Sequence, residues 1–293
     1  MNWYSRYLSV YEKPYDAVAY KDIIAEVREN FAKMKCDKPI ATVSVIAYNE
    51  ERHLLASLWA LSNTKTKYPI EIVGINNNST DRTEEIFKAV GLKYYNETQA
   101  GCGHARQCGL SNAHSKYHIN ADSDMLYPPT YVDTVVDFLE SHPDYIGVSS
   151  TYSYLPDRYH SAFSIFLYIK LRDIYLWLQS FKRPELSVRG AMFSYHTKEA
   201  QKIGIRTHII RGEDGALAFA LRDYGKIGFI RNSSVKAMTV WGNGYGNKGG
   251  SILSGFVQRA LQAFKNIKHV FVKATEYIDA EDNLIENQKK KKE

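Results

Sequence analysis

The sequence predicts an α/β protein built on a mostly parallel sheet with helices on both faces. Three observations carry that expectation. Apolar, β-branched runs without strict alternation, such as ATVSVIAY (41–48) and IEIVGI (70–75), suit strands buried on both sides. Segments of helical periodicity separate these runs, which is the rhythm of βαβ units. With 44% hydrophobic residues in 293, the chain can bury a large core, and wholesale disorder is excluded.

The elements follow in order. KDIIAEVRENFAKMK sets Ile23, Ile24, Val27 and Phe31 on one helical face, so residues 1–38 are expected to form a helical arm that Pro39 ends. After the first strand, Asn49 is expected to cap a helix with Glu50 and Glu51 in its first turn and Leu54, Leu55, Leu58 and Leu61 inside. The second strand leads into the polar turn and helix NNNSTDRTEEIFKAV, and LKYYNE (92–97) is a third strand. The glycine-rich GCGHARQCGLSNA (101–113) opens a helix, and KYHINAD (116–122) is a fourth strand ending on carboxylates. Pro128 and Pro129 introduce the helix YVDTVVDFLE, and YIGVSSTYSY (145–154) is the next strand.

Beyond it, an aromatic-rich stretch over 159–181 has helical character. It suits an acceptor-site cover, a membrane contact, core packing or a dimer contact. RGAMFSYH (189–196) predicts a strand, and RGEDGALAFALRDYG (211–225) a loop entering a helix. GKIGFI and SVKAMTV (225–240) predict a closing hairpin. A glycine-rich loop (242–251), a final helix and a tail with Lys289–Lys292 complete the chain. The expected domains are the arm at 1–38, a main domain at 39–245 with halves 39–150 and 151–245, and a C-terminal helix and tail at 246–293.

Composition narrows the function. Lys plus Arg is 38 and Asp plus Glu is 32, so the net charge of +6 favours anionic partners such as phosphate esters or a membrane surface. Three cysteines, an odd count, make no disulfide framework and point to a reducing compartment. MNWYSRYLSV has no leader-like apolar region, and no run reaches the roughly 20 apolar residues of a membrane span. A soluble cytoplasmic protein is expected, with peripheral contact at the inner face of the cell membrane left open and no nucleic-acid partner.

The chemistry gathers at strand ends. Ligands of open parallel sheets sit beyond the carboxyl ends of the strands, where Asn49–Glu51, Asn76–Asp81 and Asp122–Asp124 all fall. Asp122 and Asp124 flank a serine, and alternate side chains share a side, so both carboxylates face one point. Oxygen-only ligands suit Mg²⁺ or Mn²⁺. Cys102, Cys108, His114 and His118 fit zinc spacings poorly, and ordinary packing is the preferred reading. Gly101-Cys102-Gly103 begins like a dinucleotide fingerprint, but Arg106 takes the last glycine position and the motif follows a third strand.

Five segments together, VSVIAYNEE (43–51), EIVGINNNSTDRT (71–83), AGCGHARQCGL (100–110), INADSD (119–124) and RGEDGAL (211–217), resemble family 2 glycosyltransferases of the GT-A fold across residues 39–240. The resemblance implies a Rossmann-like sheet, a nucleotide-diphospho-sugar donor (a UDP- or GDP-sugar), a divalent cation, Mg²⁺ or Mn²⁺, on the D-x-D pair Asp122 and Asp124, and inversion at the anomeric carbon. It implies that Tyr48 and Glu50 line the nucleoside pocket. Asn76 and Asn77 stand where the family usually has acidic residues. Gly103 and Arg106 match its glycine-rich turn, with Arg106 opposing phosphate charge. Asp214 is implied as general base for an acceptor hydroxyl, with Glu213 in support. The acceptor would belong to cell-surface polysaccharide or glycolipid synthesis, lipid-linked acceptors included. Many relatives add a late histidine to the metal shell, and none lies between Val235 and Gly250. The competing readings are a nucleotidyltransferase, which the acidic VIAYNEERH disfavours, and a noncatalytic sugar- or partner-binding module, which the three aspartates disfavour.

Overall fold

The computed structural model describes residues 2–156, 161–240 and 283–284. The apolar runs become parallel strands: β1 (Ala41–Ala47), β2 (Ile70–Asn77), β3 (Tyr94–Glu97) and β4 (Tyr117–Asp122). With β5 (Tyr145–Ser150), β7 (Phe193–His196) and β8 (Lys226–Ile230) they form a seven-stranded sheet in the order β3-β2-β1-β4-β7-β5-β8. β7 alone runs antiparallel, between β4 and β5. β6 (Tyr152–Tyr154) and β9 (Ala237–Thr239) pair in parallel as a second, small sheet.

The helices are α1 (Lys21–Met34), α2 (Leu54–Ser62), α3 (Thr83–Ala89), α4 (Cys102–Ser111), α5 (Tyr131–Ser141), α6 (Ala162–Ser180), α7 (Pro184–Ser187), α8 (Thr197–Ile203) and α9 (Glu213–Leu221). α4 packs on β1 and β2, and α5 on β5. Register aligns the strand ends that carry the polar groups: Ile46 pairs with Ile75 on one side and Asp122 on the other, and Ala47 with Asn76.

Four local expectations are corrected. Asn49 caps no helix. Its backbone turns to φ 54°, its side chain serves another loop, and α2 begins only at Leu54. Residues 225–240 form no hairpin, because β8 pairs with β5 and β9 with β6 in separate sheets. The run 145–154 divides at Thr151 between those two sheets. Gly190–Met192 form a 3₁₀ turn before β7 starts. The N-terminal segment is also more than an appendage: Tyr7, Val10, Tyr11 and Tyr15 are buried in the main core with Ile24, Val27 and Phe31 of α1. The expected glycine-rich loop, final helix and lysine tail lie outside the described residues.

One buried core group sets an acid limit on the fold. His118 is wholly buried on β4 and stacks on Tyr195 with ring centroids 5.3 Å apart. Burial, aided by the charge of Arg106, pushes its imidazole pKa down to about 3. The unfolded chain therefore takes up a proton near pH 6.5 that the folded chain refuses, so stability falls as pH drops through that window. Between pH 7 and pH 4 the loss is on the order of 3 kcal/mol. Urea unfolding of His118→Phe at both pH values should show that loss largely removed, and an unchanged pH dependence would refute the assignment.

Candidate active site

The first site loop is laced to the second by side chains. Asn49 Oδ1 accepts from the Thr80 N–H at 2.8 Å, and the Asn49 N–H donates to Ser79 Oγ at 3.1 Å. The Glu50 N–H donates to Thr83 Oγ1 (2.8 Å) and the Glu51 N–H to Asp81 Oδ2 (3.0 Å). The polar run after β2 thus supplies the hydrogen-bond partners of the partly exposed backbone of the loop after β1. Tyr48 is left 57% exposed, an open aromatic face on the cleft. Glu50 stands beside it, its Oε2 2.7 Å from His53 Nδ1.

Asn76 and Asn77 are both buried and both act within the fold. Asn76 Nδ2 donates to Asn96 Oδ1 at 2.8 Å. Asn77 Nδ2 donates to the Gln99 carbonyl at 2.7 Å, and its Oδ1 accepts from the Gly101 N–H at 2.9 Å. Asn77 thus uses a donor and an acceptor together, and Asn76 a donor, which a carboxylate lacks. Asn77 still reaches the cleft wall, whereas Asn76 is not among its lining residues. Gly103 is also away from that lining. A Cβ there would stand 2.6 Å from the Arg206 carbonyl, so its missing side chain lets α4 approach protein backbone.

The loop after β4 is held from three sides. The Asp122 N–H donates to Tyr127 Oη at 2.8 Å, and that hydroxyl donates to the Ala191 carbonyl at 3.1 Å. The Asp124 carbonyl accepts from Tyr11 Oη at 2.5 Å and Thr239 Oγ1 at 3.2 Å. Asp122 and Asp124 line a cleft of about 570 Å³ with Tyr48, Glu50, Asn77 and Cys102. The Asp124 carboxyl is held well above the usual range, first by burial and then by the negative charges of Asp122 and Glu50. It has no ion-pair partner among the described residues, where no group of three or more His, Cys, Asp or Glu side chains forms a metal-binding cluster. An oxygen-only pair, one member of which faces negative neighbours without an ion-pair partner, suits a hard divalent cation that draws its remaining ligands from solvent and substrate.

A second cleft of about 540 Å³ shares Cys102 and Asp122 with the first. Its wall carries Arg106, Arg189, Gly190, Glu213 and Asp214. Arg106 is 3% exposed and is ringed by carboxylates: Nη2 lies 2.9 Å from Asp122 Oδ1, and Nε lies 3.3 Å from Asp214 Oδ2 and 3.6 Å from Glu213 Oε1. Its charge is spent on these three groups rather than standing free for phosphate. Gly190 makes room for them, since a Cβ would stand 2.2 Å from Asp214 Oδ2. Gly212, at φ 90°, turns the chain into α9, where Glu213 and Asp214 occupy the first turn. The Asp214 carboxyl pKa is raised to about 8. Burial outweighs the pull of Arg106, and the charges of Glu213 and Asp122 add to it.

Sequence reasoning missed Asn120 and Arg189. Asn120 Nδ2 donates to Asp214 Oδ1 at 3.1 Å and orients that carboxylate. The two-residue period of a strand was a usable signal, because Asn120 shares a side with Asp122. Arg189 Nη1 donates to the Leu186 and Val188 carbonyls, and nothing in its sequence context marks it.

A family model described as Glycosyl transferase family 2 matches residues 42–200. Glycosyltransferase GlyA of Streptococcus pneumoniae serotype 4 is 34% identical over 118 residues, which are 39% of this chain and 17% of that protein. The match therefore spans a small fraction of that relative's length. Glucosyl-3-phosphoglycerate synthase from Mycobacterium tuberculosis, solved with Mn²⁺, UDP-glucose and phosphoglyceric acid, aligns with TM-score 0.51 at 17% identity, covering 86% of this chain and 85% of that one. TarS from S. aureus, solved with UDP-GlcNAc, aligns with TM-score 0.50 at 17% identity over 73% and 60% of the two chains. At such identity the likeness to these two structures is one of fold.

Proposed function

The chain belongs to glycosyl transferase family 2 and has the GT-A fold, and on that premise we propose that it moves a sugar, with inversion, from a UDP-sugar to an acceptor hydroxyl. The observation that carries the reading is the pair of joined clefts: Asp122 beside Asp124, which has no ion-pair partner among the described residues, in one, and Asp214 with a burial-raised pKa in the other. The first cleft takes the donor, with Tyr48 as a platform for the base. Asp122 and Asp124 would hold Mg²⁺ or Mn²⁺, and such an ion supplies positive charge against a departing diphosphate.

Asp214 takes the proton of the acceptor hydroxyl. Its raised proton affinity makes it a stronger base than an ordinary carboxylate, and Asn120 fixes its direction. Arg106 keeps Asp214 and Asp122 close without neutralising both. One base acting opposite one departing group is the arrangement of a single displacement, hence inversion. UDP is the favoured nucleotide because the neighbouring structures were solved with UDP-sugars, and GDP is the comparison. The acceptor is a hydroxyl compound of cell-surface polysaccharide or glycolipid synthesis.

Thermal unfolding with UDP or GDP, each with Mn²⁺ and with a chelator, tests the donor reading. Saturation at 100 times Kd stabilises by about 2.7 kcal/mol, a shift of roughly 5–10 °C for a domain of this size. That shift is expected for UDP with Mn²⁺ and not with the chelator. No shift with either nucleotide in the presence of metal would sink the proposal.

A further inference from the structure

Helix α6 is built inside out. Its outward face carries Phe163, Phe166, Leu167, Leu171, Ile174 and Leu178, between 40% and 75% exposed, at the three- and four-residue spacing of one helical side. Its inward face buries Asp173 and Gln179 beside Ile165, Tyr168, Ile169 and Leu176. Scattered apolar residues on a surface need no explanation, but a continuous stripe marks a contact with something apolar.

The charges around the stripe identify that partner. Residues 161–183 contain four basic side chains and a single acid, Asp173. Asp173 is buried and held by Arg172 at 2.9 Å and Lys236 at 2.7 Å, so among the described residues of α6 the outward face offers no carboxylate. Lys170 lies on that face with its ammonium 5.5 Å from the Phe166 ring, and Arg231 lies 4.9 Å over Trp177. Both residues are exposed, and each charged head lies over an aromatic ring of this surface, so basic groups stand beside the apolar stripe as in a helix at a lipid headgroup boundary. A second copy docking by the same face would bring cations to cations with no carboxylate to meet them. No described helix is long and apolar enough to cross a membrane, so α6 would lie along the surface.

We propose that the outward face of α6 docks the protein on an anionic lipid bilayer, its apolar side chains entering the acyl boundary while Lys170 and Arg231 meet the headgroups. The docked helix is linked by hydrogen bonding and ion pairing to the wall of the second cleft. Ser187 Oγ donates to the Leu176 carbonyl, and the Glu185 that follows α6 lines that cleft while paired with Arg222 at 3.1 Å.

The test is co-sedimentation of the full chain with vesicles of pure phosphatidylcholine or of phosphatidylcholine with about one third phosphatidylglycerol. It needs no turnover, so it is independent of the transferase reading. The chain should pellet with the anionic vesicles at least about tenfold more than with the neutral ones, and the preference should weaken with salt. The triple variant Phe166→Glu, Ile174→Glu, Leu178→Glu alters exposed positions only. It should unfold at the wild-type temperature yet remain in the supernatant. Lys170→Glu, with its apolar neighbours intact, should lose several-fold of the anionic preference. Equal pelleting of wild type and triple variant would overturn the proposal. So would failure of the wild type to pellet, or a dimer in sedimentation velocity that the triple variant dissolves while vesicles bind neither form.

Discussion

Asp214→Asn should lower kcat by roughly 10²–10⁴-fold, the range a positioned general base contributes, while UDP still raises the unfolding temperature as in the wild type. The amide keeps the shape of the carboxyl and can still hydrogen-bond to Asn120, but it cannot take a proton. The wild-type pH profile provides a second readout. With its pKa raised to about 8, Asp214 is increasingly protonated as pH falls below that value. A base must be ionised, so kcat/KM should climb with pH and level off above about pH 8, and the variant's residual rate should lack that rise. Parallel loss of nucleotide binding and turnover would instead place Asp214 in the binding machinery.

Asp124→Asn and Asp122→Asn should each cut metal-dependent turnover by on the order of 10²-fold or more, because each removes an oxygen that would hold the cation. Their effects on the metal-free fold should have opposite signs. Asp124 is a buried carboxyl with negative neighbours and no ion-pair partner among the described residues, so neutralising it relieves repulsion and should raise the unfolding temperature. Asp122 is paired with the buried Arg106 at 2.9 Å, so its loss leaves a guanidinium short of a partner. That should cost about 1–3 kcal/mol. Differential scanning calorimetry in chelator, alongside a Mn²⁺ titration of activity, separates the two. Full activity of either variant would show that the pair does not hold the ion.

Much of the fold was legible because its signals are local. The buried parallel strands have unbroken apolar runs, α5 carries its own helical periodicity, and α4 and α9 each follow a glycine turn. What was misread depends on distant partners. β8 and β9 look like hairpin arms in isolation, yet each finds a parallel mate far earlier in the chain, and no local pattern encodes that choice. Asn49 has the chemistry of a cap, but its side chain is spent on Thr80 across the loop. The site shows the same division. The aspartates and the paired acids of α9 are visible as motifs. The fate of Arg106 is not, because Asp122, Glu213 and Asp214 reach it from separate segments. Asn76 and Asn77 stand at the expected strand end, but their hydrogen bonds to Asn96, Gln99 and Gly101 become visible only when β2 and β3 pair.

The way the opening segment of the chain is fastened has a practical corollary for anyone trimming this protein. Tyr11 grips the Asp124 carbonyl, Arg52 reaches the Glu12 carbonyl, and Trp59 donates to Glu26. A fragment cut back to the span recognised by the family model would therefore lose a strut under the loop that carries Asp122 and Asp124. Expression boundaries are better drawn from these cross-braces than from where the motifs begin.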